Sequence, residues 1–327
     1  MLDDCVGQKV EEECAKASKG KVILLENLRF HLEEEGKGVN TKGEKVKASN
    51  TEVAQFRKSL SKLGDIYIND AFGTCHRAHS SMVGVDVSTR AAGFLVKKEL
   101  EYFSKVLESP TRPLTVVMGG AKVKDKIQLI LNMLDIVDEM IIGGGMAFTF
   151  NKVLNNTEIG DSLFDAEGAA LVPRIMAKAL EKGVKIHLPT DFICGNKFAE
   201  DAIVKTRSES EGIEAGWLGL DIGPKTAEAN KLVIARSKTI FWNGPQGVFE
   251  MQPFASGSLS MLEAIIKATE NGATSVAGGG DTVSLLKKVK GAAAKLSHVS
   301  TGGGASLELV EGHELPGVMA LSDINEL

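Results

Sequence analysis

Val116–Lys126 reads VVMGGAKVKDK. An apolar run fit for a buried strand enters a glycine pair and then a lysine-rich stretch. Beyond it, Ile127, Ile130, Leu131 and Leu134 fall at i, i+3, i+4 and i+7, one apolar helix face. The same strand–glycine–helix order recurs in MIIGGGMAF (Met140–Phe148), TSVAGGGDTVS (Thr274–Ser284) and HVSTGGGASLE (His298–Glu308). Glycine lets backbone approach a ligand closely. A helix start carries unpaired N–H groups and partial positive charge, which attract phosphate. In an open α/β sheet such turns gather at the carboxyl ends of the strands, where ligands bind. Four of them in one segment are more than tight turning alone requires.

Outward from these turns, short apolar runs alternate with helical periodicity. Strands are expected at Val22–Leu25, Ile66–Ile68, Leu114–Met118, Met140–Ile142, Val184–Leu188, Thr239–Trp242, Thr274–Ala277 and His298–Ser300. Ala166–Lys182 reads as a helix capped by Gly183. The fold class is α/β with a parallel sheet. Leu95–Ser109 is a further helix, with Leu100, Phe103 and Leu107 on one face and Pro110 as its stop. It is either a link between two domains or an ordinary crossover helix. Glu33–Asn50 is polar and reads as an exposed, disordered loop.

The 327 residues suffice for two domains, and 43% hydrophobic with 25% charged residues is a globular composition. A net charge of −5 argues against a nucleic-acid partner. Anionic ligands must then be met by local Lys, Arg and backbone N–H groups. Cys5, Cys14, Cys75 and Cys194 form no CxxC pair, so reduced thiols in the cytoplasm are expected. The acidic start MLDDCVGQ is no signal peptide, and Met140–Phe150 is too short and glycine-rich to span a bilayer. No membrane partner is expected.

The common nucleotide signatures are missing: there is no G-x-x-x-x-G-K-[ST], no helix-opening G-x-G-x-x-G after a strand and no HRD–DFG pair. Lys122 and Lys126 lie four apart and share a face if the helix starts at their turn. Asp281, directly after Gly278–Gly280, can cap a helix or hold Mg²⁺ beside phosphates.

Seven stretches together resemble the phosphoglycerate kinases. They are NLRFH (Asn27–His31), DAFGTCHRAHSSMVG (Asp70–Gly84), GGAKVKDKIQLI (Gly119–Ile130), IIGGGMAFTF (Ile141–Phe150), FWNGPQGVFE (Phe241–Glu250), GGGDT (Gly278–Thr282) and HVSTGGGASLELVEG (His298–Gly312). The resemblance implies two doubly wound, Rossmann-like domains joined by a helix: residues 1–92 with 313–327, the helix 93–109, and a nucleotide domain 110–312. It implies reversible phosphoryl transfer between 1,3-bisphosphoglycerate and ADP in glycolysis, with Mg²⁺, in a cytoplasmic monomer. Lys122 resembles the catalytic lysine, and Gly303 and Gly304 the helix start that receives the transferring group. Lys126, Asn243, Pro245, Gly280 and Thr282 resemble nucleotide contacts, Asp281 the Mg²⁺–nucleotide aspartate and Glu250 the ribose carboxylate. Gly120, Gly144, Gly145 and Leu220 resemble the adenine-pocket walls. Arg29 and Arg77 resemble the arginines that grip phosphoglycerate. Lys124, Gln246 and Cys75 depart from the usual residues. The family's Asp–x–Asn strand end and His–Leu–Gly–Arg–Pro turn do not occur. The expectation is therefore a first domain lacking its N-terminal part, with a catalytically impaired nucleotide-binding chain as the alternative function.

Overall fold

In the computed structural model, which describes residues 1–323, the strand Leu114–Met118 is buried at all five positions. A continuous apolar run is what a parallel strand covered on both faces requires. It sits in the middle of a six-stranded sheet ordered His298–Val299, Thr274–Ala277, Thr239–Asn243, Leu114–Met118, Glu139–Ile142, Lys185–His187. Every pairing in this sheet is parallel. Along the chain, the first three strands run outward to one side of Leu114–Met118 and the last three to the other. Strand order therefore reverses between Leu114–Met118 and Thr239–Asn243, and the crevice above that reversal is where doubly wound sheets bind ligands.

One face of the sheet is covered by the helices Pro224–Arg236 and Ser256–Glu270. Val233, Ile234, Met261, Leu262 and Ile265 pack with Val117, Ile141, Ile240 and Trp242 in one buried cluster. Each such side chain contributes about 1.5–3 kcal/mol by burial. The expected helix Ala166–Lys182 is two pieces, Ala166–Ala169 and Val172–Lys182. Pro173 opens the second piece, and Gly183 closes it in the left-handed conformation.

The sequence reading missed a three-stranded antiparallel sheet, ordered Leu218–Ile222, Asp191–Gly195, Val204–Ser208. Its strands contain Gly195, Gly219 and Asp221 or read as polar VKTRS, so apolar periodicity does not mark them.

The chain divides into two compact units, Met1–Glu99 with Glu314 onward, and Leu100–His313. The division falls within the helix Phe94–Leu107. Of the returning segment 313–327, residues from 324 on lie outside those described. In the first unit Ile66–Asn69 pairs in parallel with Thr89–Ala92. Buried Asn69 donates to Gly317 O (2.9 Å), and Gly317 N to Cys75 O (2.8 Å), which ties the returning chain down. Val22–Leu25 forms no strand. Leu24 O accepts from Leu2 N, and Val22 is 92% exposed, so no ladder forms there. Glu33–Asn50 is no disordered loop. It holds a helix, Leu32–Glu35, and a hairpin of Lys37–Val39 with Lys45–Lys47. Gly36 in the left-handed conformation ends the helix, and Glu34 is buried, accepting from Ser81 N and Oγ.

At the amino ends of the sheet, Glu139 (6% exposed) accepts from Arg236 Nε (2.8 Å) and Nη2 (2.5 Å), and pairs with His187 Nε2 (2.6 Å). Arg236, and after it His187, holds this carboxyl below its ordinary value against burial. A depressed folded value means stability that is present above the carboxylate range and lost as pH falls through it. Glu139→Gln is expected to cost about 1–3 kcal/mol at neutral pH. Urea titrations should show that deficit shrinking toward acid pH.

Candidate active site

At the reversal of strand order two glycines stack backbone on backbone. A Cβ on Gly119 would overlap Pro245 O and stand 2.5 Å from Gly244 C. Gly244 has φ 106°, a conformation glycine alone adopts readily, and its Cβ would meet Gly119 Cα at 2.8 Å. Main-chain bonds then sew the turns together: Gly119 N to Asn243 O, Gly143 N to Met118 O, Gly144 N to Gln246 O and Met146 N to Gly120 O, all 2.8–3.1 Å.

A cavity of about 680 Å³ opens beside them, within the range of small-molecule sites. One wall is Gly120, Ala121, Gly144 and Gly145; another is Leu218–Ile222 of the antiparallel sheet; a third is Pro245–Val248 with Glu250 and Met251. Asp281 also lines it. Leu163 and Phe198 also line it while 55% and 61% exposed. Apart from Leu220, the sequence reading missed the antiparallel wall, along with Leu163 and Phe198. Their burial around a cavity depends on strands with no periodic signal.

The polar groups converge on the Asp281 end. Lys126 Nζ donates to Asn243 Oδ1 and lies 3.4 Å from Asn243 O. Asn243 Nδ2 donates to Gly278 O (3.1 Å). Burial pulls the Lys126 ammonium down to about 8, against the opposing pull of Asp281 and Glu311. Lys122 and Lys126 do not share a helix face. The turn runs through the 3-10 segment Lys124–Lys126 and the helix starts only at Ile127, so Lys122 stays exposed while Lys126 turns inward. The Asp165 carboxyl holds this turn, accepting from Lys124 N (3.0 Å).

Asp281 is not the helix cap. Gly279 caps Gly280–Lys288, and Asp281 stands in its first turn. Its exposed carboxylate faces the cavity, a hard oxygen ligand suited to Mg²⁺ shared with phosphates. Thr282 Oγ1 is buried and accepts from Gly244 N (2.7 Å), so its hydroxyl fixes the glycine stack. Gly280 begins the helix behind Asp281. Gly303 (φ 53°) precedes the short helix that starts at Gly304.

In the first unit Arg29 Nε lies 3.0 Å from Glu35. Arg77 follows the 3-10 turn Phe72–Thr74, its N–H on Thr74 O. Burial pushes the His79 imidazole down, Glu35 and Glu34 oppose this, and Arg29 and Arg77 both add to it. The two arginines thus act on one imidazole. Asp4, Cys5 and His31 also bring ligand atoms within 4.8 Å of one another. The His31–Asp4 hydrogen bond (2.7 Å) accounts for their proximity, and burial keeps the Cys5 thiol protonated, pushed up to about 11.

The family model for phosphoglycerate kinase matches residues 1–313. The phosphoglycerate kinase of Sterkiella nova is 71% identical over 324 residues, 99% of this chain and 77% of that protein. That of Tetrahymena thermophila is 60% identical over 327 residues, 100% of this chain and 78% of that protein. The solved phosphoglycerate kinase of Coxiella burnetii superposes with a TM-score of 0.78 at 39% identity, covering 84% of this chain and 69% of that one. These alignments take in nearly the whole of this chain and about three quarters of the length of each relative. Among the described residues no helix is long and apolar enough to cross a membrane.

Proposed function

The chain belongs to the phosphoglycerate kinase family, and on that premise we propose how its site carries out reversible phosphoryl transfer between 1,3-bisphosphoglycerate and ADP. The cavity at the reversal of strand order carries this reading. Its apolar walls, Gly120, Gly144, Gly145, Leu220 and Pro245, suit a purine. Glu250 on the rim accepts from the ribose hydroxyls. Lys126 and the N–H groups at Gly280 and Thr282 meet the phosphates at the other end. Arg29 and Arg77 of the first unit hold the acid phosphate.

Phosphoryl transfer asks a protein mainly for alignment and for positive charge on the equatorial oxygens. Lys122, exposed on its turn, supplies that charge in transit. The N–H groups of Gly303 and Gly304 receive the transferring group. Asp281 would hold Mg²⁺ there, and the ion would supply charge neutralisation on the nucleotide phosphates. The cysteines are unpaired, three of them buried, which fits a reducing cytoplasm. The net charge fits neither a nucleic-acid nor a membrane partner, and we take the protein to act as a monomer. No feature of the site favours the catalytically impaired alternative.

Asp281→Ala tests the nucleotide site. Calorimetry should show Mg·ADP weakened by at least about tenfold, or 1.4 kcal/mol, while adenosine, which has no phosphates, binds as before. Unchanged Mg·ADP affinity would place the phosphates elsewhere.

A further inference from the structure

Asp221 is 2% exposed and lines the cavity, yet the roles above do not use it. It is the penultimate residue of the strand Leu218–Ile222 and meets the start of the helix Ser256–Glu270. Its Oδ2 accepts from Gly257 N (2.7 Å) and Ser256 Oγ (3.1 Å), and its Oδ1 from Ile222 N (2.9 Å). Two glycines make room for it. A Cβ on Gly247 would stand 2.5 Å from Asp221 Cγ, and one on Gly257 would stand 3.0 Å from the same atom. The carboxylate is thus wedged between the helix start and the loop that carries Pro245 and Glu250. Two further bonds fasten that loop to the same elements: Val248 N to Leu220 O (2.8 Å) and Gln246 N to Ser258 Oγ (2.9 Å).

We propose that Asp221 is a positioning residue for the nucleoside, fixing the loop Pro245–Glu250 against the helix start and so setting the affinity for adenosine. This rests on the nucleotide reading of the cavity given above. Burial pushes the Asp221 carboxyl up to about 7, against the pull of Gly257 N, Ile222 N and Ser256 Oγ. The other carboxylates lining the cavity are Asp161, Glu250 and Asp281; the helix start and the loop beside Gly247 bring only neutral groups to Asp221. Protonation through about 7 converts an acceptor facing three donors into a group that must itself donate, as Asn would.

The probe is adenosine, as a competitive inhibitor of ATP formation, because it carries no phosphate to titrate. Asp221→Asn should raise the adenosine inhibition constant and the KM for ADP about tenfold, with kcat within about threefold. In the wild type, adenosine affinity should fall as pH drops through about 7, and in Asp221→Asn it should be flat. Ser256→Ala removes one of the bonds that pull the carboxyl down, so it should move the wild-type midpoint upward even if Asp221→Asn fails to fold. An adenosine constant within twofold of wild type in Asp221→Asn, a fall in kcat at unchanged KM, or an unmoved midpoint in Ser256→Ala overturns the proposal alone. A wild type that binds no adenosine overturns it together with the nucleotide reading.

Discussion

Lys122→Ala is expected to lower turnover by about 10²–10³ while changing Mg·ADP affinity by less than about threefold. Two observations separate this lysine from its neighbour. Lys126 is drawn inward and bonded to Asn243. Lys122 is exposed at the preceding bend. A cation already engaged at the binding end contributes to the ground state, whereas a free one can act where charge develops. Only the second kind raises kcat without tightening substrate. Asp165 holds the backbone of this bend, accepting from Lys124 N, while the Lys122 side chain stays exposed. Steady-state kinetics beside calorimetry decide the point. Equal losses in kcat and in ADP affinity would make Lys122 a plain nucleotide contact.

Gly119→Ala should do more damage to binding than removal of any side chain in the site. The new methyl would fall onto Pro245 O and press on Gly244 C at 2.5 Å. Neither neighbour is a flexible side-chain end; both are backbone at the strand reversal, with Gly244 N already tied to Thr282. Overpacking of this kind costs about 1–3 kcal/mol, occasionally more. The displaced elements are two walls of the cavity, so Mg·ADP affinity should fall by about 10² or more, and the melting temperature should drop. Gly280→Ala is the control for stability, since a Cβ there meets nothing within 4 Å. Should Gly119→Ala bind Mg·ADP as the wild type does, the close backbone approach does not shape the site.

The sheet was legible because its strands are buried on both faces. LTVVM and EMII are apolar but for Thr115 and Glu139, every position in both is buried, and each runs into glycine. The four glycine turns also gave the ligand end of the sheet, since the reversal of strand order brings Gly119 and Gly244 together. What the sequence did not show lies where local pattern carries little signal. The antiparallel wall is built from half-exposed or glycine-containing strands, so Asp221 and Leu218 stayed unseen beside a correctly read Leu220. Two lysines four apart suggested a helix face, but the 3-10 turn ahead of Ile127 separates them. Asp281 followed by Thr282 left cap and metal ligand open. Gly279 is the cap, and the exposed Asp281 carboxylate lines the cavity. In the first unit, Glu33–Asn50 looked like a solvated run of charge. Long-range bonds from Ser81 to Glu34 order its start, and no periodicity in the segment itself announces them.

The central claim is that this chain moves a phosphoryl group with the residues assembled around the Gly119–Gly244 stack. The most direct measurement follows ATP formation from 1,3-bisphosphoglycerate and Mg·ADP by the purified chain, with Lys122→Ala run in parallel. ATP formation by the wild type is expected, falling by about 10²–10³ in the variant. No ATP above the uncatalysed rate, from a wild type that binds Mg·ADP, would contradict it and leave a nucleotide-binding protein without catalysis.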